Sequence, residues 1–413
     1  MDNTSLLEGV FNQFLESPAV FKDREVLRHD YIPESLPHRE NHIRNLGQMV
    51  APVLKGARCS NIFLYGKTGT GKTAVARFVL SKLSLKAAEL GSPIKVCYIN
   101  CRSAGTEYRV FSSMCEALNV SIPFTGLALG EVFDRFRNGL DARRIMLMTV
   151  LDEIDALVKE RGDILLYELT RINESLKNSK TSVVGISNDL CFKEFLEPRV
   201  LSSLSEEEVV FQPYNAAELS DILRERAKEA LNPGVLSEGA IGLCSALAAS
   251  EHGDARRALD LLRVAGELAE RKNDRNVNDE HIREAEKRIE HDRVYDAVRN
   301  LPSHSKLVLC SVYLLSKTNV KRIVTGEIFE VYVELCGQIE TAPLTQRRVS
   351  DLINELDSLG LLNTQVVSMG RYGRTKKIRL SIAPSFLKNI FVGDTRFERL
   401  LNYSPRNLLA YTQ

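Results

Sequence analysis

Apolar residues in the first half of the chain alternate between short continuous runs and longer stretches with helical spacing. A continuous apolar run is typical of a strand that is covered on both faces, and helices between such runs favour parallel crossovers. We therefore predict an α/β core with a mostly parallel sheet. Its strands are expected at residues 61–65, 94–99, 145–151, 182–186 and 207–211.

Helical patterns lie on both sides of this core. Apolar spacings of three and four predict a helix over about 38–54, after a segment at 30–37 whose two prolines disfavour helix. Beyond about residue 215 the pattern is helical only, with long amphipathic stretches at 254–272 and 278–299. An all-helical region is therefore expected to follow the sheet.

The last part of the chain predicts a third, smaller fold. Helices are expected at 301–316, 324–337 and 344–359, and strands near 362–368 and 376–382. Three helices followed by a β-hairpin are typical of a winged helix, a relative of the helix-turn-helix DNA reader. Its third helix would be the recognition helix, and the residues expected to hold this helix on the domain are Leu352, Ile353, Leu356 and Leu359.

Composition narrows the classes of protein. A length of 413 residues suits several domains at roughly 150 residues each, and 44% apolar with 26% charged residues excludes wholesale disorder. The net charge of +1, averaged over the whole chain, does not indicate a protein that binds polyanions, but such an average can conceal a local basic patch. No run approaches 18 apolar residues and the start lacks a signal-peptide pattern, so we expect no membrane span.

The metal-ligating residue types are dispersed. Among eight cysteines and seven histidines, the close pair Cys97 and Cys101 has no second pair or nearby histidine to complete a zinc set. We interpret the cysteines as buried reduced thiols of an intracellular protein.

A glycine-rich segment carries the strongest chemical signal. It matches G-x4-G-K-[ST] in full, follows a predicted strand and opens a predicted helix, which is the context of a phosphate-binding loop. Its glycines let backbone N–H groups face phosphate oxygens, helped by the positive end of the helix. Lys72 would reach the β- and γ-phosphates of ATP, and Thr73 would hold Mg²⁺. The segment consists of Gly66, Lys67, Thr68, Gly69, Thr70, Gly71, Lys72 and Thr73.

Two carboxylates end the third predicted strand. Asp152 and Glu153 follow an apolar run, so they are expected at the edge of the sheet where open α/β sheets bind ligands. Asp152 would belong to the Mg²⁺ shell. Glu153 would polarise a water for in-line attack on the γ-phosphate.

Three further residues extend this predicted site. Asn188 follows the next strand and would position the attacking water, although an asparagine there is also a common turn residue. Arg199 could act in trans on the nucleotide of a neighbouring subunit, or form a structural ion pair. Arg256 begins an amphipathic helix, whose expected buried face includes Ala258 and Leu261, and would report the nucleotide state to that helical region.

In this order the motifs resemble an AAA+ ATPase, and a closer resemblance covers nearly the whole chain. The segments 31–39, 198–204, 211–215 and 253–262 resemble the archaeal origin-recognition/cell-division-control replication initiators, and the compact length is similar to archaeal rather than eukaryotic members. The resemblance implies an α/β AAA+ core with an N-terminal helical segment at 1–213, an all-α lid at 214–298 and a winged-helix domain at 299–413.

The resemblance also implies roles that spacing alone does not give. Tyr31, Ile32 and Pro33 would line an adenine pocket, while Tyr214 and Arg226 would complete the nucleotide contacts. A helical insert within about 103–140 would contact DNA; it holds Tyr108, Arg109, Arg135 and Arg137. Leu201 and Ser205 give the Arg199 region less charge than the family pattern, which bears on subunit contacts.

The predicted winged helix contains the basic patch that the average charge conceals. Side chains that reach phosphates or base edges gather at the start of the recognition helix, and cations without acids gather in the hairpin. A solvated hairpin remains the alternative interpretation. The expected DNA-binding residues are Thr345, Gln346, Arg347, Arg348, Arg371, Tyr372, Arg374, Lys376 and Lys377.

Three functions fit these features. The first is an ATP-dependent initiator and slow, regulatory ATPase that binds double-stranded origin DNA and helps load the replicative minichromosome-maintenance helicase, with further initiator subunits on the DNA. The second is another AAA+ remodeller, clamp-loader-like or from a mobile element, whose winged helix contacts proteins. The third is a transcription regulator with a vestigial ATPase fold, against which the intact motifs argue. An initiator would lie in the cytoplasm with the nucleoid, or in a eukaryotic nucleus.

Overall fold

The computed structural model describes residues 7–8, 11, 19–123, 125–204, 206–317, 323–368 and 374–405. The chain divides into two compact units, Met1–Ala285 and Glu286–Gln413. The finer division at 213/214 and 298/299 stays a prediction.

Helices and strands follow one another closely along the described chain. In chain order they are α1 (Glu40–Val50), β1 (Asn61–Tyr65), α2 (Lys72–Glu89), β2 (Ile94–Asn100), α3 (Cys101–Ala104), α4 (Glu107–Ala117), α5 (Leu129–Asp141), β3 (Met146–Asp152), α6 (Ile154–Arg161), α7 (Ile164–Arg171), β4 (Lys180–Ser187), α8 (Pro198–Leu204), β5 (Glu206–Val210), α9 (Ala216–Ala230), α10 (Glu238–Ser250), α11 (Ala255–Arg271), α12 (Asp279–Arg299), α13 (Ser303–Ser316), β6 (Ile323–Val324), α14 (Thr325–Gln338), α15 (Gln346–Ser358), β7 (Leu362–Ser368), β8 (Arg374–Leu380), α16 (Pro384–Val392) and α17 (Thr395–Glu398).

The first unit is built around a five-stranded parallel sheet with strand order β2-β3-β4-β1-β5. The predicted strands are confirmed to within two residues at each end. Every residue of β1 and β3 is buried, which explains why their apolar residues run continuously instead of alternating. Because all five strands point the same way, their carboxyl ends share one edge, where Asp152 lies level with Ile186.

Helices cover both faces of the sheet. On one face α1 and α2 bury Leu46 and Val75 against strand residues such as Met148. On the other, α4 and α5 bring Phe111 and Phe136 into the core. The predicted insert is therefore a helical pair attached to the sheet through its apolar side.

The all-helical region begins at α9, and an N-terminal segment is fixed to it. Glu270, a buried residue of α11, accepts hydrogen bonds from the backbone N–H groups of Val20 (3.2 Å) and Phe21 (3.4 Å) and pairs with Arg24. The Phe21 ring packs so closely against Gly266 that a Cβ at this glycine would lie 2.5 Å from the ring. Residues before α1 therefore have long-range partners in the helical region.

The second unit contains the predicted winged helix with two differences. Its sheet has three antiparallel strands in the order β6-β8-β7, because the two-residue strand β6, which the sequence pattern does not indicate, pairs with β8. Leu359 is expected on the inner face of α15 but is 56% exposed. It caps the end of α15, and Leu361 just beyond it is the residue that is buried there (1% exposed), so that assignment is wrong. Leu352, Ile353 and Leu356 are buried as predicted.

Seven cysteines are buried and Cys191 is exposed, and burial raises the pKa of the Cys97 thiol to about 11. None of the described helices is both long enough and apolar enough to cross a membrane.

Asn61 supplies a test of the core. Its side chain, 2% exposed, donates to the Leu204 carbonyl (2.6 Å) and accepts from the Val183 N–H (3.0 Å), so it ties β1 to β4 and to the end of α8. We expect Asn61→Ala to lower stability by about 2 kcal/mol because it leaves two buried backbone groups unpaired. The apparent melting temperature should fall by roughly 4–8 °C. Ser60→Ala, at the exposed neighbouring residue, is the control and should leave the melting curve unchanged.

Candidate nucleotide-binding site

The glycine-rich loop joins β1 to α2 and has no room for side chains at three positions. At Gly66 a Cβ would lie 2.6 Å from the Phe211 carbonyl oxygen. Gly69 has φ +73°, and a Cβ there would lie 1.7 Å from Asp254 Oδ1. Gly71, with φ +92°, precedes α2, and its Cβ would lie 2.8 Å from the Tyr214 hydroxyl. Glycine is therefore required at these three residues, and the bare backbone leaves N–H groups for an anion.

Lys72 lies within the loop. Its Nζ donates to the carbonyls of Gly66 (2.7 Å) and Lys67 (2.8 Å). Burial lowers the pKa of its ammonium group to about 8, an effect that the nearby Asp152 carboxylate opposes. Both acceptors are neutral carbonyls, so an anion bound in the loop would stabilise the charged form of Lys72.

Asp152 lies at the end of β3 beside the start of α2. Its Oδ2 accepts from the Thr73 hydroxyl (3.0 Å) and from the Tyr98 hydroxyl. A hydroxyl and a carboxylate brought together at the phosphate loop fit Mg²⁺, which prefers oxygen ligands, so Thr73 and Asp152 are the residues that would hold it. Tyr98, which sequence reasoning missed, reaches Asp152 because β2 and β3 pair in register from Ile94 to Asn100.

Glu153 and Asn188 lie beside Asp152. Glu153 adopts a left-handed backbone (φ 53°) immediately before α6, and Asn188 follows β4. The Asn188 N–H donates to Asp155 Oδ1 (3.1 Å), and Lys159 pairs with Asp189. The first turns of α6 therefore fix the backbone that carries Asn188, a role for Asp155 that sequence reasoning missed.

These residues line one cavity of about 1140 Å³ when its open mouth is counted. The N-terminal segment, the sheet edge and the helical region all contribute, so the structure brings together side chains that are far apart in sequence. Gly66, Lys67 and Thr68 belong to the loop but do not line the cavity. The predicted residues that do line it are Tyr31, Ile32, Pro33, Gly69, Thr70, Gly71, Lys72, Thr73, Asp152, Glu153, Asn188, Tyr214, Arg226 and Arg256.

One wall of the cavity pairs a cation with an aromatic ring. The Arg226 guanidinium lies 4.6 Å from the Tyr31 ring centroid, and its Nη2 donates to the Tyr31 carbonyl (3.3 Å). Its buried Nη1 has no hydrogen-bond partner among the described residues, and burial lowers its pKa. The Tyr31 hydroxyl donates to Glu229 (3.0 Å). A flat ring and an unpaired donor fit a planar, polar ligand group such as a nucleobase.

Comparisons with known proteins identify the family. Family models match at residues 56–188 (AAA domain), 220–287 (Cdc6 AAA+ ATPase-type lid domain) and 296–389 (CDC6, C terminal winged helix domain). The ORC1-type DNA replication protein of Thermococcus onnurineus is 50% identical over 402 residues, covering 96% of this chain and 97% of the relative. The chain belongs to the ORC1-type DNA replication proteins. The resemblance and the fold class predicted from the sequence are thereby confirmed.

Further ORC1-type relatives agree. ORC1-type DNA replication protein 1 of Archaeoglobus fulgidus is 49% identical over 395 residues, covering 96% of each chain. The Aeropyrum pernix ORC1 protein, solved in complex with DNA, is 51% identical with a TM-score of 0.84, covering 92% of this chain and 99% of that one. Pyrobaculum aerophilum Cdc6p, at 22% identity, TM-score 0.59 and coverage of 94% and 100%, shows the same fold.

Arg199 lies outside the cavity of this ORC1-type chain. It is exposed on α8, pairs with Glu197 (2.6 Å) and lies 5.0 Å from the centroid of the Tyr167 ring. The structure therefore does not bring it to the predicted catalytic residues of its own chain, and its action in trans stays a prediction.

The predicted DNA-binding residues lie in the second unit. Thr345 caps α15 by accepting from the Arg348 N–H (3.4 Å), and exposed side chains follow it, of which Arg348 pairs with Glu355 (3.5 Å). In the hairpin Lys376 donates to Asn354 and Lys377 is half-buried. Arg371 and Tyr372 lie outside the described residues, and of Arg374 only the backbone is described. The remaining exposed residues at the start of α15 are Gln346 and Arg347.

The insert offers less free charge than its sequence indicates. Arg135 pairs with Glu131 (2.9 Å) and Arg137 with Asp134 (2.8 Å), all on α5. Tyr108 donates to the Pro123 carbonyl (2.8 Å). Contact of this insert with DNA stays a prediction.

Lys72 provides the first test of the site. We expect Lys72→Ala to weaken ATP binding at least about a hundredfold, since a buried cation to phosphate contact contributes several kcal/mol. Calorimetric titration with ATP measures this. Lys67→Ala removes an exposed charge from the same loop and should change affinity less than about threefold. Equal affinities in the two variants would contradict the assignment.

Glu153 provides the second test. Glu153→Gln keeps the shape of the side chain but cannot accept a proton, so we expect ATP to bind normally while hydrolysis falls about a hundredfold or more. Single-turnover hydrolysis with radiolabelled ATP, beside equilibrium binding, separates the two steps. Normal turnover would assign the base to another residue.

Proposed function

We propose that this ORC1-type protein is an ATP-dependent replication initiator. It would bind double-stranded origin DNA and help recruit and load the replicative minichromosome-maintenance helicase, beside the chromosome in the cytoplasm and with further initiator subunits on the DNA. ATP binding and slow hydrolysis would act as the switch. The observation that carries the proposal is a cavity lined by both the sheet edge and the helical lid, in a chain that also has a winged helix.

The cavity supports ATP binding and hydrolysis through named residues. Bound Mg²⁺ would supply charge neutralisation at the phosphates, held by Thr73 and Asp152. Lys72 would contact the phosphates from within the loop. Glu153 would accept a proton from the attacking water, and Asn188, fixed by Asp155, would orient that water.

A switch is supported by where the cavity walls come from. Arg256 and Arg226 belong to α11 and α9, whereas Glu153 and Asn188 belong to the sheet edge. A ligand that contacts both sets would favour one arrangement of lid and core over another. Slow hydrolysis is supported by the position of Arg199, which does not line the cavity of its own chain. An isolated chain would therefore lack this arginine at the γ-phosphate.

DNA binding is supported by the second unit and by a relative. The Aeropyrum pernix ORC1 protein, similar over nearly its whole length, was solved with DNA. In this chain the N-terminal turn of α15 exposes Gln346 and Arg347 next to the capping residue Thr345, so polar groups and a cation are available for phosphates or base edges.

Duplex binding against salt concentration tests the function. With ATP, ADP or no nucleotide, we compare an origin-like repeat fragment with random DNA of the same length. We expect sequence preference that changes with the nucleotide. Arg347→Ala with Lys377→Ala should weaken binding and reduce the salt slope by about one to two.

The matched control removes the same number of cations from another surface of the second unit, Lys388→Ala with Arg396→Ala, and both residues are exposed. It should leave the salt slope unchanged. Weak binding that is indifferent to sequence and nucleotide would instead support a remodelling ATPase whose winged helix contacts proteins.

A further inference from the structure

Arg39 is a buried arginine that lies between the phosphate loop and the connection to the lid. It is 4% exposed and immediately precedes α1. Its Nε donates to the Thr70 carbonyl (2.9 Å), and its Nη2 donates to the Gln212 carbonyl (2.8 Å). Its guanidinium carbon lies 3.7 Å from the centroid of the Tyr214 ring.

The partners of Arg39 belong to separate parts of the first unit. Thr70 is in the glycine-rich loop. Gln212 and Tyr214 are in the short connection between β5 and α9, where the chain leaves the sheet for the lid. The Tyr214 N–H donates to the Gly253 carbonyl (3.2 Å), so this connection also contacts the segment that precedes α11. One side chain thus bridges the loop and the connection that leads into the lid.

The bonding of Arg39 suits a bridge better than an ion pair. The hydrogen bonds that it donates to Thr70, Gln212 and His38 all end on backbone carbonyls, and no carboxylate lies within 4.0 Å of it in the described part of the chain. Desolvation by burial lowers its pKa. The guanidinium is a flat, rigid fork of donors that can stack on a ring while its N–H groups reach two carbonyls on its edges, whereas a lysine ammonium is a compact point charge on a flexible stem. Because each acceptor is a backbone carbonyl, a change in the orientation of that peptide changes the position of the Arg39 guanidinium.

We propose that Arg39 is a positioning residue that couples nucleotide occupancy of the loop to the core–lid connection. A phosphate bound at the loop N–H groups fixes the orientation of the neighbouring peptides, including the one whose Thr70 carbonyl holds Arg39. Arg39 then holds the Gln212 carbonyl and the Tyr214 ring in one position. The inference rests on the proposed nucleotide site, and it adds a route by which that site reaches the lid.

Hydrogen exchange with and without ATP and Mg²⁺ tests the coupling. In the unsubstituted protein, ATP should slow amide exchange in residues 212–216 about tenfold or more. A factor of this size is typical of the coupling between two sites of one protein. Arg39→Lys keeps the charge but loses the flat, forked guanidinium that stacks on Tyr214, so it should bind ATP within about tenfold of the unsubstituted affinity while losing this protection. Arg39→Met should lose both protection and part of the ATP affinity.

Arg44→Met is the matched control. Arg44 is an exposed arginine on α1 whose side chain donates to Asn41 (3.4 Å), and its variant should retain the protection of residues 212–216. Thermal melts show whether each variant folds; if Arg39→Met does not, Arg39→Lys alone decides the question.

The outcomes separate the two proposals. Full protection of residues 212–216 in Arg39→Lys would overturn the coupling role, as would ATP binding without any such protection in the unsubstituted protein. Absence of ATP binding in the unsubstituted protein would overturn the nucleotide site itself. Loss of protection in the Arg44→Met control would show that α1 matters only as a packed element, which also contradicts the role of Arg39.

Discussion

Close packing around two glycines is the constraint on which the rest of the structure depends. The backbone at Gly69 is so near Asp254, and that at Gly71 so near Tyr214, that neither has room for a Cβ. The groups that crowd the loop come from the lid and its connection, not from the sheet. Asp254 also caps α11 by accepting from the Arg256 N–H (2.8 Å). The loop that suits phosphates and the helix that carries Arg256 therefore share one anchor, and the cavity is complete only when the lid is seated.

The parallel sheet accounts for the remaining chemistry. Parallel strands deliver their carboxyl ends to one edge, so Asp152 after β3 and Asn188 after β4 lie together although the chain between them is a separate helical layer. The contacts that fix their orientation come from neighbouring elements: Tyr98 of β2 and Thr73 of α2 bond Asp152, and Asp155 of α6 bonds the Asn188 backbone. Preorganised polar groups of this kind need no rearrangement when charge develops on a ligand.

The features predicted from the sequence depend on residues close together in the chain, whereas those it missed depend on contacts between residues far apart in it. The strands, the long helices and the loop motif are local patterns, and the structure bears them out. Tyr98 could not be assigned because its reach to Asp152 depends on the register between β2 and β3. Arg39 lies within a segment that carries the family resemblance, but its partners Thr70 and Gln212 are 31 and 173 residues away. Strand β6 was missed because two residues carry no periodic signal, and it exists through pairing with β8.

In the proposed slow switch, the positions of the cations would separate nucleotide binding from hydrolysis. Lys72 is within the loop, and Arg226 and Arg256 line the cavity from the lid, so one chain contains the cations that would contact a bound nucleotide. Arg199 is exposed on α8, where it pairs with Glu197, so an Arg199 guanidinium at the γ-phosphate would have to come from a neighbouring subunit. In the proposed switch a chain alone would remain in its bound state, because it would lack the Arg199 charge that stabilises the transition state. The rate of ATP hydrolysis, which resets the switch, would depend on assembly with a neighbouring subunit. The arrangement of lid and core would depend on whether the cavity holds a nucleotide.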